Sequence, residues 1–277
     1  EQTTPVATSS TATTAAPLKK SISTRLSEMK KTLIASSLAL ASIANLAHAG
    51  PDEYVYPARV EAGEREIDIK FGTRSMKDGT QNKSAGSIGL GYGVNDFWFT
   101  EVYLKYARAA GSSTEFDAIE WENRFQLTET GKYPVDVGFL FEAERPQDRA
   151  EGYEFKFGPL FQADIGKTEW NANFLLKRNY KADTPSGTQA YYQLQGRYLW
   201  SREFSFGFQG FGDLGKIDSI APSSLQGHRF GPAVFGKIPL DGRQYLKYNA
   251  AYLIGKTRIS DDAYVGNTFR VQLEYEF

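Results

Sequence analysis

Cysteine is absent from the 277-residue chain. Its absence excludes disulfide bridges and thiolate metal sites, and it suits a protein that passes through an oxidising compartment. A basic excess is also lacking, because the formal net charge is −1. Proteins that bind phosphate backbones carry clustered basic charge, so nucleic acid is not an expected partner.

Long apolar runs are scarce as well. The run from Leu33 to Leu46 is interrupted by serine and asparagine, and it is shorter than the ~20 apolar residues that a membrane-spanning helix needs. It follows a Met-Lys-Lys start at residues 29–31 and ends in Ala47-His48-Ala49, a pattern that signal peptidase accepts. The sequence therefore predicts a signal peptide over residues 29–49 that is cleaved after Ala49.

The remaining chain divides into three parts. Residues 1–28 are rich in Thr, Ser and Ala and precede a complete signal peptide, so they are predicted to be a disordered or non-native leader. Residues 50–63 are predicted to be a periplasmic N-terminal segment. Residues 64–277 are predicted to form a single membrane domain, for the reasons that follow.

Strict alternation of apolar and polar residues is the strongest pattern in this domain. At the C-terminus Phe269, Val271, Leu273, Tyr275 and Phe277 share one parity, and Thr268, Arg270, Gln272, Glu274 and Glu276 share the other. A period of two is typical of a strand with one apolar face, and it does not fit the helical period of 3.6. Membrane strands need this pattern, because one face meets lipid and the other meets water or polar neighbours.

About twelve such segments occur, and the connections between them alternate between short and long. Outer-membrane barrels place short turns on the periplasmic side and longer loops outside. A soluble β-sandwich also alternates, but here the polar face carries charge strand after strand, and a sandwich leaves strand edges that need protection. The sequence predicts an all-β fold: a transmembrane, antiparallel up-and-down β-barrel of about twelve strands.

The C-terminal residues Val271, Leu273, Tyr275 and Phe277 resemble the terminal signature of Gram-negative outer-membrane barrels. The resemblance implies location in the bacterial outer membrane, contact with its lipid and lipopolysaccharide, and recognition of these four residues by the barrel-assembly machinery. Twelve-stranded members include a phospholipase, nucleoside channels, autotransporter translocators and copper-resistance barrels. The chain is also faintly similar to barrels grouped with transporters of phenol-degradation pathways, although no motif supports that grouping.

Residues for chemistry are few. His228 is the one histidine outside the signal peptide, and it lacks the neighbouring serine that the phospholipase route requires. After cleavage one methionine also remains, which argues against copper handling. The sequence predicts no catalytic residues, no metal site and no cofactor, so the protein is not expected to be an enzyme.

Parity places many charged side chains inside the barrel. An acidic wall is predicted from Glu120, Glu122, Asp136, Glu142, Glu144 and Glu154, and an opposite basic wall from Arg197, Arg229, Lys237 and Lys247. Opposed charges in a water-filled pore order water and dipolar solutes. The same charges can instead pair and fill a narrow barrel.

Two functions follow from these charges. The first is an outer-membrane channel that allows passive diffusion of small polar or charged solutes through a charged lumen. The alternative is a structural or adhesive barrel that is closed by salt bridges and acts through its external loops. A membrane-embedded hydrolase is a third possibility, and it is less favoured because His228 lacks a neighbouring serine.

Overall fold

A computed structural model of the protein describes residues 50–75, 82–255 and 266–277. The predictions for residues 1–28 and 29–49 lie outside the described residues. None of the helices in the described ranges is long and apolar enough to cross a membrane.

Twelve long antiparallel strands form one closed sheet. They are β1 (Arg65–Arg74), β2 (Lys83–Asn95), β3 (Trp98–Arg108), β4 (Glu115–Gln126), β5 (Asp136–Pro146), β6 (Tyr153–Ile165), β7 (Thr168–Tyr180), β8 (Gln189–Tyr198), β9 (Ser205–Lys216), β11 (Gly227–Pro239), β12 (Tyr245–Gly255) and β13 (Thr268–Glu276). The two-residue strand β10 (Ser219–Ile220) extends the hairpin after β9. Each long strand pairs with its sequence neighbours, and β1 pairs with β13, which closes the barrel and removes the open edges.

The predicted parity determines which side chains face inward. Along β1, Glu66, Asp68 and Lys70 are buried, whereas Ile69 and Phe71 are nearly half exposed. In a soluble protein such apolar exposure would be costly, but a barrel that faces lipid needs it on every strand. The predicted fold class and the strand number are therefore confirmed.

The two ends of the barrel differ in the length of their connections. We call the end that carries residues 95–98, 165–168 and the C-terminal residue Phe277 the turn end, and the opposite end the loop end. The loop end carries longer connections, such as residues 180–189 and 216–227. This alternation of short and long connections agrees with the sequence except between β4 and β5, where residues 127–135 form a long connection at the turn end.

Candidate functional site: the barrel lumen

Residues 50–64 run through the inside of the barrel, and we call them the lumen segment. Near the loop end the Pro51 carbonyl oxygen lies 1.9 Å from where a Cβ on Gly72 would stand. Near the turn end the Glu61 carbonyl oxygen lies 1.9 Å from the corresponding point on Gly93. Both glycines are needed because the backbone of the segment approaches the wall too closely for any side chain.

Sequence reasoning assigned residues 50–63 to the periplasm and did not anticipate this position. The pattern of residues 54–60 has little polar alternation and contains two tyrosines and a proline, so by itself it predicts neither a strand nor a plug. Inward-facing glycines such as Gly72 and Gly93 are the one sign of the segment in the sequence. They can be interpreted only when the residues that lie against them in the lumen are known.

Apolar side chains of the lumen segment pack against two patches on the inner wall. Tyr54, Tyr56 and Ala58 belong to one cluster with the inward residues Leu140, Leu160, Leu175 and Tyr191. Val55 points the other way and joins Phe211, Ala233, Phe235, Ala251 and Leu253. Full burial of one large apolar side chain contributes about 1.5–3 kcal/mol, so these contacts hold the segment strongly.

Hydrogen bonds from the wall satisfy the backbone of the segment. The Ala58 N–H donates to Gln162 Oε1 at 3.1 Å, and the Val60 N–H donates to Gln126 Oε1 at 2.8 Å. The Asn173 amide donates to the Tyr56 carbonyl oxygen at 3.0 Å. Buried backbone groups without partners would be costly. Amide side chains of the wall therefore supply the hydrogen bonds that a neighbouring strand would otherwise make.

Arg59 anchors the segment near the turn end. Its Nε lies 2.6 Å from Asp136 Oδ2, and its Nη1 lies 2.8 Å from Asp164 Oδ2. Asp136 is 1% exposed, so this charge would be expensive to bury without a partner. The guanidinium thereby joins strands β5 and β6 through the segment.

The two tyrosines lie among charged groups in the middle of the lumen. The Tyr54 hydroxyl donates to Glu122, and Lys70 Nζ lies 3.4 Å from the centre of the Tyr54 ring. Lys156 Nζ donates to the Tyr56 hydroxyl at 3.0 Å. A cation over an aromatic face is favourable, and more so where water is excluded.

All six acids of the predicted acidic wall face the lumen, and each lies against a cation. The contacts are Glu120–Lys105 (2.9 Å), Glu122–Arg124 (3.0 Å), Asp136–Arg59 (2.6 Å), Glu142–Lys156 (2.6 Å), Glu144–Lys105 and Glu154–Lys177 (3.1 Å). Four of these pairs use lysines that share the inward parity of their strands. Sequence reasoning omitted Lys105, Lys156 and Lys177 from the lumen, although the parity rule places them there.

The four bases of the predicted basic wall are also paired. Their contacts are Arg197–Glu169 (2.8 Å), Arg229–Glu53 (3.6 Å), Lys237–Glu276 (2.8 Å) and Lys247 with Glu64 (2.7 Å), Glu274 and Glu276 (3.2 Å). Two of the acids, Glu53 and Glu64, belong to the lumen segment. Within the described residues, charge is thus matched locally along both walls and partly by the segment itself.

Among the described residues, a larger and a smaller cavity lie beside the segment. The larger, of about 920 Å³, is lined by acids of β1, β3 and β13 and by bases of β8, β11 and β12, among them Glu66, Glu101, Glu274, Arg197, Lys237 and Lys247. The smaller, of about 90 Å³, lies towards the loop end and is lined by Gly50, Asp52, Lys105 and Lys177. Tyr54 lines both cavities, so its side chain stands between them.

Two solved structures share this architecture. An outer membrane channel from Pseudomonas putida F1 aligns with a TM-score of 0.54 and 12% identity, over 83% of this chain and 99% of that chain. The NanC porin aligns with a TM-score of 0.52 and 10% identity, over 76% of this chain and 98% of that chain. This chain has the fold of an outer-membrane β-barrel protein. No family model and no curated protein matches its sequence.

The predicted C-terminal signature lies on the outer face of β13 in this barrel. Leu273 is 40% exposed and Phe277 is 50% exposed, and the rings of Tyr275 and Phe277 stack at 5.6 Å. Val271 shares their outward parity. The four side chains are therefore presented to the surroundings of the barrel, and their recognition by assembly machinery remains a prediction.

His228 faces away from the lumen. Its Nε2 donates to Gln226 Oε1 at 3.0 Å, and its Nδ1 accepts from the Tyr192 hydroxyl at 2.8 Å. Gln226 and Tyr192 thus engage both ring nitrogens, and neither is the serine that the phospholipase route requires. This arrangement gives no support to the hydrolase alternative.

The absence of cysteine permits a direct test of the position of the segment. A Val55→Cys variant should react slowly with a maleimide, because Val55 is 7% exposed and packs against the inner wall. Adding Gly93→Val should accelerate the reaction by roughly tenfold, since overpacking of about 1–3 kcal/mol favours departure of the segment. Labelling rates of the folded barrel in micelles provide the measurement.

The control for this experiment is Ile88→Val, on the outer face of the same strand, where Ile88 is 43% exposed. It should leave the labelling rate unchanged. Rapid labelling of Val55→Cys without any second substitution would show that the segment does not occupy the lumen.

Proposed function

We propose that this protein is an outer-membrane channel for small polar or charged solutes and that the lumen segment keeps it closed. The observation that carries the proposal is the course of residues 50–64 between the two cavities. Solutes would cross by passive diffusion when the segment is displaced. Two neighbours in structure are a channel and a porin, which supports a channel role in general.

The charges that line the larger cavity indicate which solutes the channel would favour. The larger cavity offers both carboxylates and cationic groups, with Gln162, Asn171, Gln195 and Gln272 between them. Groups of both signs at close range favour dipolar or zwitterionic solutes over large apolar ones. A twelve-stranded barrel lies between side-chain-filled eight-stranded barrels and wide sixteen-stranded porins, so the solutes should be small.

A structural barrel closed by salt bridges is the second candidate, and one observation favours it. Eight of the ten charged residues of the two predicted walls have a partner of opposite charge on the strands themselves within 4 Å, whereas Asp136 and Arg229 contact Arg59 and Glu53 of the lumen segment. In that case the interior would remain closed after removal of the segment, and function would reside in the loops.

Liposome swelling separates these two candidates. Proteoliposomes with a barrel that begins at Glu61 should swell in isotonic glycine or arabinose, whereas the chain that begins at Gly50 should swell slowly. Swelling should also decrease with solute size, as expected for diffusion through a narrow pore. Absence of swelling with both proteins, each shown to be folded by its resistance to detergent, would refute the channel and favour the structural barrel.

A further inference from the structure

Three arginines meet inside the barrel near the loop end. Arg74 lies on β1, Arg229 on β11 and Arg270 on β13, and they are 8%, 5% and 1% exposed. The guanidinium groups of Arg229 and Arg270 both lie against the Phe211 ring, and Arg229 Nη1 donates to the hydroxyl of Thr268, which pairs with Arg74 across β1 and β13. We call these residues the arginine cluster. Like charges buried together are unfavourable unless an anion lies among them.

One acid of the lumen segment contacts this cluster. Glu53 is the acid in contact: its Oε2 lies 3.6 Å from Arg229 Nη2, and its Oε1 accepts from Gln193 Nε2 at 3.0 Å. A carboxylate of the lumen segment thus lies against the cluster.

The fit of Glu53 is incomplete. Among the described residues, its Oε2 has no hydrogen-bond partner, and neither do Nε and Nη2 of Arg270. Arg270 Nη1 donates to Gln209 Oε1 at 2.7 Å. A guanidinium and a carboxylate normally match through paired, parallel hydrogen bonds. A carboxylate that is free of the chain can reach this geometry, whereas one fixed to residue 53 does not.

An apolar surface lies beside the arginines. The Phe211 ring centre is 5.7 Å from the Arg229 guanidinium and 5.6 Å from that of Arg270. Phe211 belongs to the patch that Val55 covers. When the segment leaves, this patch becomes accessible next to the cationic groups. The combination of a guanidinium fork and an apolar wall suits an organic acid.

We propose that Arg74, Arg229 and Arg270 form a binding site for the carboxylate of an organic acid that enters the channel, and that Glu53 occupies this site while the lumen segment is in place. The inference rests on the proposed function, because the site is free only when the channel opens. Such a site would make carboxylates the preferred anions among the solutes. A bound carboxylate would also compete with Glu53 and so with the lumen segment.

Substitution of Glu53 by alanine tests the site directly. Glu53→Ala removes one methylene and the carboxylate, the equivalent of an acetate ion, so acetate should bind in the vacated space. Saturation-transfer NMR on the folded barrel in micelles should detect the acetate methyl protons with Glu53→Ala and not with the unsubstituted chain. Adding Arg270→Met should weaken acetate binding by roughly tenfold, because it removes a charge-assisted hydrogen bond to the carboxylate.

The controls separate the site from general effects of charge. Arg178 lies on β7 and faces outward, so Glu53→Ala with Arg178→Gln should bind acetate as Glu53→Ala does. Arg74→Met provides a second test of the cluster if Arg270→Met does not fold. Equal displacement of acetate by phosphate at the same ionic strength would overturn the carboxylate assignment in favour of a general anion site.

Absence of an acetate signal with folded Glu53→Ala, or an undiminished signal after both arginine substitutions, would refute the site. This experiment does not require a solute to cross the membrane. Its failure is therefore distinguishable from failure of the channel, which the swelling assay reports.

Discussion

A barrel that begins at Glu61 is expected to conduct ions roughly tenfold better than the chain that begins at Gly50, since conductance follows the open cross-section of a pore. The shorter chain loses Tyr54, Val55 and Tyr56, which stand in the middle of the lumen. The wall retains its own hydrogen-bonded ladders on all sides, so the barrel should still fold. Single-channel recordings in planar bilayers provide the measurement.

Point substitutions provide a graded version of this experiment. Tyr54→Ala with Tyr56→Ala removes the packing against Leu140, Leu160 and Leu175, and it should raise the open probability. Tyr54→Phe with Tyr56→Phe keeps the rings and removes only the hydroxyls that contact Glu122 and Lys156, so it should change conductance much less. Equal conductance of all these proteins would mean that the segment does not control the pore.

Lys156→Met is expected to destabilise the barrel by about 3–5 kcal/mol, the usual effect of removing one partner from a buried ion pair. Lys156 Nζ lies 2.6 Å from Glu142 Oε2, and the Glu142 side chain is 2% exposed. Carboxylate oxygens of Glu120, Glu122 and Glu142 all lie within 4.8 Å of one another. Removal of the lysine leaves these three acids with less positive charge beside them.

Urea unfolding in lipid vesicles, followed by tryptophan fluorescence, measures this loss. Adding Glu142→Gln to Lys156→Met should restore much of the stability, because the second substitution removes the uncompensated charge. Lys132→Met is the matched control, since the Lys132–Glu129 pair is exposed and such pairs contribute about 0–1 kcal/mol. Similar losses for Lys156→Met and Lys132→Met would show that the lumen is well hydrated and the pairs are weak.

These two experiments address the two means of closing the lumen. The segment occupies the centre, and the ion pairs narrow the walls around it. A large rise in conductance on shortening assigns closure to the segment. A small rise, together with a large loss of stability in Lys156→Met, assigns closure to the paired walls and supports the structural barrel.

The strands were predictable because membrane strands obey a local rule. In β13 the alternation from Thr268 to Glu276 is complete, and the observed strand has these bounds. β9 shows the limit of the rule: alternation is clear from Phe204 to Phe208, but the strand continues to Lys216 and forms a hairpin with Ser219 and Ile220. Glycines at 210, 212 and 215 blur the pattern there, since they carry no side chain to mark a face.

The walls were predictable only in part. Parity placed Glu142 and Lys237 in the lumen, and the structure has them there. Whether two inward charges pair depends on the register between strands, which is set by pairing along the whole sheet. Lys156 meets Glu142 because these residues are directly opposite on β5 and β6.

By itself the sequence determined the barrel: a period of two over twelve segments leaves one apolar and one polar face on each strand, and a closed sheet buries every backbone hydrogen bond. The path of residues 50–64 was decided only by the tertiary structure. Those residues have no period of their own, and their partners come from distant positions such as Gly72, Asp136 and Gln193. The lumen segment packs against the inner wall of the barrel, and that wall exists only after the barrel has closed.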